Sequence, residues 1–228
     1  SDLTATTHDD VGRSANTTYW YRVRGSNTGG DGGFSPACSA LTRPAAPRTP
    51  TFSNVATTSL TVSWIPPTGG AATYTLERAT GAGAFTALAP GLTATAFADS
   101  TLSANVTYRY RVRAANASGD GAYSGEGSVT TLAGVPGTPT FTAVTATSLT
   151  VSWTAPTGDA ASYVVERGSA QLGPFTPVAT GVKTLDWTNT QLSPGTTYWY
   201  RIRATNTAGA SGAASIAASV TTVPAPPS

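Results

Sequence analysis

One lysine (Lys183), one histidine (His8), one cysteine (Cys38) and no methionine occur among the 228 residues, and only 11% of them are charged. A lone cysteine excludes a disulfide between residues of this chain, so each folded unit must be held by its apolar core. Units of about 90 residues bury enough surface to manage that. The formal charge of +2 is carried almost wholly by arginine, and no segment is a basic run. That excludes the electrostatic footprint of a nucleic-acid partner or an acidic membrane surface. No stretch approaches the roughly 20 apolar residues that span a bilayer, so membrane insertion is not expected. The helix formers Lys, Leu, Met and Glu are scarce, which argues against long amphipathic helices. Nothing has the pattern of a signal peptide, and the chain, opening at Ser1 without methionine, reads as a processed product or an excised piece.

Thr, Ala, Gly, Ser and Val dominate instead, the composition of short strands and turns. Arginine used in place of lysine beside so much Ala and Gly points to a GC-rich bacterial gene. The chain is also internally repetitive. Tyr19-Trp20-Tyr21-Arg22-Val23-Arg24 recurs as Tyr108-Arg109-Tyr110-Arg111-Val112-Arg113 and as Tyr198-Trp199-Tyr200-Arg201-Ile202-Arg203. From Tyr19 to Tyr108 the step is 89 residues, and from Tyr108 to Tyr198 it is 90. Ser59-Leu60-Thr61-Val62-Ser63-Trp64 returns as Ser148-Leu149-Thr150-Val151-Ser152-Trp153, with no copy before Tyr19. Three units follow: a C-terminal half unit over 1–43, complete units over 44–133 and 134–223, and a Pro-rich tail over 224–228. The segments that join them contain Pro44, Pro47 and Pro50, then Pro136 and Pro139, and should be short, stiff linkers.

Period-two alternation and turn residues predict seven strands in the third unit, near 140–144, 149–153, 163–167, 175–179, 184–187, 197–206 and 215–222. Seven short strands without helices make an all-β, two-sheet sandwich. In the sixth strand of the second unit, alternation sends Tyr108, Tyr110, Val112 and Ala114 inward and Arg109, Arg111 and Arg113 outward.

A Trp ends the second strand (Trp64, Trp153) and a Tyr lies in the third (Tyr74, Tyr163). A corner Leu192-Ser193-Pro194-Gly195-Thr196-Thr197-Tyr198 follows, then a Tyr-x-Tyr-x-Val-x-Ala strand and a Gly/Ser loop. On these residues the chain resembles the fibronectin type III family. The resemblance implies tandem immunoglobulin-like, seven-strand Greek-key sandwiches whose core signature is Trp64, Trp153, Tyr74, Tyr163, Tyr108 and Tyr198. The second unit departs from the corner with Leu102-Ser103-Ala104-Asn105 and the first with Arg13-Ser14-Ala15-Asn16, but both keep the Tyr and should keep its hydrogen bond.

No residue is expected to be catalytic, and no cofactor or metal is expected. His8 aligns with Phe97 and Trp187 and is read as a core-facing position in a fifth strand. Asp10 aligns with Asp99 and Asn189 and is read as a turn cap. Asp9, Asp31 and Asp120 lack the spacing of a calcium loop. Glu77 and Glu166 sit one per unit, too far apart for paired-carboxylate hydrolysis, and are expected to form exposed cross-strand ion pairs with Arg111 and Arg201. The candidate binding surface is Trp20 and Trp199 with the flanking Arg201 and Arg203, which could stack on a sugar ring or a neighbouring module. No Arg-Gly-Asp tripeptide occurs in the loops after the sixth strands. Asn16, Asn105 and Asn116 begin N-glycosylation tripeptides. Cys38, aligned with Gly127 and Ala217, is either a small buried residue or one half of a disulfide to an upstream cysteine or another chain.

The half unit leaves Tyr19, Tyr21 and Val23 without a facing sheet. The expected partner is therefore the rest of a longer chain, or neighbouring subunits, completing it. The resemblance, together with the absence of catalytic chemistry, implies a non-catalytic, extracellular spacer in a cell-surface, adhesin or filament protein. The alternatives it implies are accessory modules of a secreted polysaccharide-degrading enzyme, with polysaccharide as a partner, and a phage tail decoration.

Overall fold

A computed structural model describes residues 3–227. The described elements are all strands. The first repeat holds β1 (Thr18–Tyr21), β2 (Ser26–Asn27), β3 (Gly30–Asp31) and β4 (Cys38–Leu41). The second holds β5 (Thr51–Ser53), β6 (Leu60–Ser63), β7 (Thr73–Thr80), β8 (Thr86–Leu92), β9 (Ala96–Asp99), β10 (Thr107–Asn116), β11 (Gly119–Tyr123) and β12 (Gly127–Thr130). The third holds β13 (Thr140–Thr142), β14 (Leu149–Ser152), β15 (Ser162–Gly168), β16 (Phe175–Val182), β17 (Asp186–Asn189), β18 (Thr197–Thr205), β19 (Ser211–Ala214) and β20 (Ala218–Thr221). The chain divides into two compact units. One comprises 1–51, 62–97 and 109–127; the other comprises 52–61, 98–108 and 128–228.

The third repeat lies wholly in the latter unit. One sheet has the order β13-β14-β17, the other β16-β15-β18-β19, with β20 also on β18. The chain crosses between sheets after β14, returns for β17 and crosses again, which is the Greek-key path of an immunoglobulin-like sandwich. Registers such as Val151↔Trp187 and Val165↔Ile202 align the apolar sets. Alternation then turns Tyr200, Ile202 and Ala204 of β18 inward to full burial against Leu149, Val151, Trp153, Tyr163 and Val165. The outward set is Trp199, Arg201 and Arg203, all half-buried. The second repeat has the same strand orders, β5-β6-β9 and β11-β10-β7-β8 with β12 on β10.

The expected last strand, 215–222, forms only over Ala218–Thr221, and a separate strand, β19, precedes it over Ser211–Ala214. Ser215 accepts a hydrogen bond from the Ile202 amide on its Oγ (3.0 Å), and its own amide donates to the Ile202 carbonyl (2.8 Å). The hydroxyl replaces a ladder carbonyl, so regular pairing stops for three residues and resumes at Ala218. Ser124 does the same to Val112, and Ser35 to Val23. The serine recurs in all three repeats, but composition gives it no strand-breaking signal.

Among the described residues of the first repeat β1 pairs with β4, and β2 with β3. Tyr21 is 37% and Val23 66% exposed, where the equivalent Tyr200 and Ile202 are fully buried. His8 is exposed and in no strand, so the expected core-facing fifth strand does not form there. Its register needs a second strand to pair with, and none is described beside it.

Candidate functional surface

The three repeats carry one tyrosine hydrogen bond each at the corner before the sixth strand. Ser14, Ser103 and Ser193 amides donate to the hydroxyls of Tyr19, Tyr108 and Tyr198, each at 2.9 Å. The departures from Pro-Gly at two corners therefore leave this bond intact. That bond lowers the Tyr198 pKa and outweighs burial, which raises it. Trp64 and Trp153 meet Tyr74 and Tyr163 edge-on, with ring centroids 5.6 and 5.3 Å apart. All four rings are buried, as is Tyr108, while Tyr198 is half-buried.

The outward face of the larger sheets is a ladder of arginines between carboxylates and rings. In the second repeat Arg111 donates to Glu77 Oε2 at 2.8 Å and lies over both Phe85 and Tyr123, at 4.3 and 3.9 Å from their centroids. Tyr123 donates to the other Glu77 oxygen, Oε1. Arg109 bridges Glu126 and the carbonyls of Gly81 and Gly83. In the third repeat Glu166 takes Arg201 on one oxygen (2.5 Å) and Arg203 on the other (3.1 Å), and Arg201 lies over Phe175. The cross-strand pairs are where sequence register places them, but they are not exposed: Glu77 is 9% and Glu166 8% exposed. Long arginine stems and flanking rings cover the carboxylates, which alternation by itself does not reveal.

The charges of Arg201 and Arg203 are thus engaged by Glu166. Trp199 lies half-buried between cross-strand neighbours Gly168 and Ser219, whereas Trp20 is 71% exposed. The four residues expected to form one binding surface fall in two repeats, and only Trp20 offers an open ring. Among the described residues no carboxylate pair gathers for hydrolysis around Glu77 or Glu166, each being held by arginine. One described hollow, about 540 Å³, is an open trough lined by Pro47, Arg48, Thr49, Trp64 and Ile65, without a carboxylate.

Burial pushes the Glu77 pKa up, but the hydrogen bonds from Tyr123 and Arg111 and the charges of Arg111 and Arg113 outweigh it, so the pKa is lowered. A carboxylate lowered in the folded state contributes stability that is complete above its unfolded pKa of about 4.3 and lost as pH falls through the folded value. Chemical denaturation followed at Trp64 between about pH 6 and about pH 2.5 should therefore show an acid-labile second repeat, and Glu77→Gln should flatten that dependence.

Asp10 and Asn189 engage the equivalent tyrosine hydroxyls, Asp10 accepting from Tyr21 (2.9 Å) and Asn189 donating to the buried Tyr200 (2.7 Å). Asp99 caps its turn by accepting from the Thr101 amide (3.1 Å). Cys38 is a free, exposed thiol on β4, so it is not the small buried residue that its alignment suggests. Its strand partner is Tyr21, as Ala218 is that of Tyr200; the one-residue alignment to Ala217 is corrected by register. The three asparagines of the glycosylation tripeptides have their side-chain amides committed to protein carbonyls and side chains, which their tripeptides do not foretell.

The sandwich topology, the tyrosine corner and the Trp–Tyr core pair define a fibronectin type III module. The fibronectin type III domain family matches residues 45–130 and 134–221, and the chain belongs to that family. It is 34% identical over 248 residues to exoglucanase B of Cellulomonas fimi, covering 96% of this chain and 21% of that protein. It is 33% identical over 190 residues to endoglucanase B of Cellulomonas fimi, covering 77% of this chain and 18% of that protein. Chitinase C of Streptomyces lividans is 38% identical over 89 residues, covering 38% of this chain and 13% of that protein. The chain thus spans about a fifth or less of these relatives. Among solved structures, a two fibronectin type III domain segment from chicken tenascin matches at 22% identity with a TM-score of 0.52, covering 77% of this chain and 99% of that one.

Proposed function

We propose that this chain is a non-catalytic spacer array in a secreted, bacterial polysaccharide-degrading enzyme, acting outside the cell. The observation that supports it most is the 96% coverage of the chain by a stretch amounting to only 21% of an exoglucanase, with an endoglucanase and a chitinase matched in the same way. Physical features agree with a spacer. Glu77 and Glu166 are locked by arginine, so neither is free as an acid or base for glycosidic chemistry. Each sandwich is held by its core without a disulfide, and the linkers are short and proline-bearing.

Deleting residues 44–223 from the full-length protein tests this. Hydrolysis of a soluble oligosaccharide is expected to stay unchanged, while sugar release from insoluble cellulose or chitin falls about tenfold, because a tether sets the effective concentration of a catalytic domain at a surface. A full-length protein without polysaccharide hydrolysis, or equal loss on both substrates, would overturn the reading. The regular 89- and 90-residue period favours a second reading, a spacer in a long surface filament. Many further repeats in the flanking sequence would support it.

A further inference from the structure

The same kind of joint is built twice, once on either side of the second repeat. At the first, Asn16 donates from Nδ2 to the Gly69 carbonyl (2.6 Å), and Asn116 donates to Asn16 Oδ1 and to the Thr42 carbonyl, both at 2.8 Å. At the second, Asn105 donates to the Gly158 carbonyl (3.3 Å) and accepts from the Thr207 amide (3.0 Å), while Asn206 donates to the Thr131 carbonyl (3.0 Å). The first contact spans 53 residues at both joints, and the asparagine-to-carbonyl contact spans 74 and 75. These two contacts therefore recur at both joints, while Oδ1 of the first asparagine is met by Asn116 at one joint and by the Thr207 amide at the other.

Each part of the joint has a physical requirement. Asn16 and Asn105 sit at φ of 48° and 54°, the left-handed region that asparagine tolerates best among residues with a side chain. Gly158 has φ +79°, and a Cβ on it would lie 2.4 Å from the Ala104 carbonyl oxygen, so the joint closes backbone to backbone. Asn206 is 1% exposed with its amide fully used: Nδ2 donates to the Thr130 and Thr131 carbonyls, and Oδ1 accepts from the Ala208 and Ala210 amides. Swinging it out of place leaves buried groups without partners, which is strongly disfavoured.

We propose that the pairs Asn16 with Asn116 and Asn105 with Asn206 are angle-setting locks, so that each joint is a stiff interface read by side-chain amides instead of a hinge stiffened by linker proline. The inference goes beyond the enzyme reading and stands whether or not that reading holds. The third repeat shows what the surface is without its lock. Gly195 occupies the position of Asn16 and Asn105, with φ +60°, but has no side chain. Its amide still makes the equivalent backbone bond, to the Val223 carbonyl at 3.2 Å, as Asn16 does to Arg43 at 3.1 Å and Asn105 to Leu132 at 3.0 Å.

Gly195 also supplies the clean test, because it shows that glycine keeps the corner folded. In the full chain carrying Cys38→Ser, spin labels at Ser128→Cys and Lys183→Cys should give one narrow distance distribution. Asn105→Gly should broaden it at least about twofold and speed exchange of the Thr207 amide about tenfold, the loss of one local hydrogen bond. Circular dichroism and the thermal transition should stay essentially unchanged. An Asn105→Gly chain with an equally narrow distribution and unaltered Thr207 exchange would overturn the lock; a broad distribution in the unsubstituted joint would do so as well.

Discussion

Trp153→Ala is expected to unfold the third repeat under conditions where the unsubstituted chain is fully folded. Trp153 is 5% exposed, meets Tyr163 edge-on at 5.3 Å and anchors the end of β14 through its amide on the Leu185 carbonyl at 3.0 Å. Losing a buried indole removes about 150–250 Å² of burial and leaves a cavity, for a cost of about 3–5 kcal/mol. Against a total of about 5–15 kcal/mol that is enough to populate the unfolded state of a small module. Trp153→Phe keeps most of the apolar volume and should cost about 1–2 kcal/mol. Guanidinium unfolding read by hydrogen exchange at the Ile202 and Ala204 amides measures both. A loss below about 1 kcal/mol for the alanine variant would contradict the core described for β14 and β18.

The second large effect is electrostatic. Glu166→Ala should destabilise the third repeat by about 2–3 kcal/mol, the scale of removing charge-assisted hydrogen bonds from a covered site. The carboxylate is 8% exposed and takes one arginine on each oxygen. Arg201 and Arg203 are 28% and 31% exposed; Arg203 is also held by the Gly212 carbonyl at 2.9 Å, and Arg201 stacks over Phe175. Two like charges then face each other on adjacent outward positions of β18. Glu166→Gln retains acceptor and shape and should cost distinctly less. Salt separates this pair from an ordinary surface bridge. At about 1 M sodium chloride, exposed charges are screened within about 3 Å but a covered pair is affected weakly, so the stability gap between the unsubstituted and Glu166→Ala chains should persist there. Equal stability of the two chains at high salt would reduce the pair to surface decoration.

The parts legible in the sequence are those that depend on period and on neighbours along one strand. Trp64, Trp153, Tyr74 and Tyr163 announce a sandwich core by recurrence, and alternation assigns the inward and outward sets of β10 and β18 correctly. The registers Glu166↔Arg201 and Gly168↔Trp199 then follow from pairing strands that the repeat locates. What escapes such reading is decided by contacts distant in sequence. Ser35, Ser124 and Ser215 shorten the last strand because each hydroxyl finds a particular amide in the sixth strand. Their own neighbours say nothing of it. The glutamates are covered because sixth-strand arginines, themselves packed on rings from other strands, pair with them. Trp199 loses its open face to close cross-strand packing, while Trp20, at the same repeat position, keeps it.

The asparagines show the limit most clearly. Asn16, Asn105 and Asn116 read locally as glycan acceptors or turn residues, and nothing within a few positions points to Gly69, Gly158 or Thr42. By itself the sequence determined the module type, its period and the identity of its cross-strand ion pairs, because these rest on side-chain polarity and a two-residue alternation. Only the tertiary structure decided which polar side chains are engaged and which are free. A hydrogen bond depends on a few tenths of an ångström between groups that here lie more than fifty residues apart, and chain order does not encode that distance.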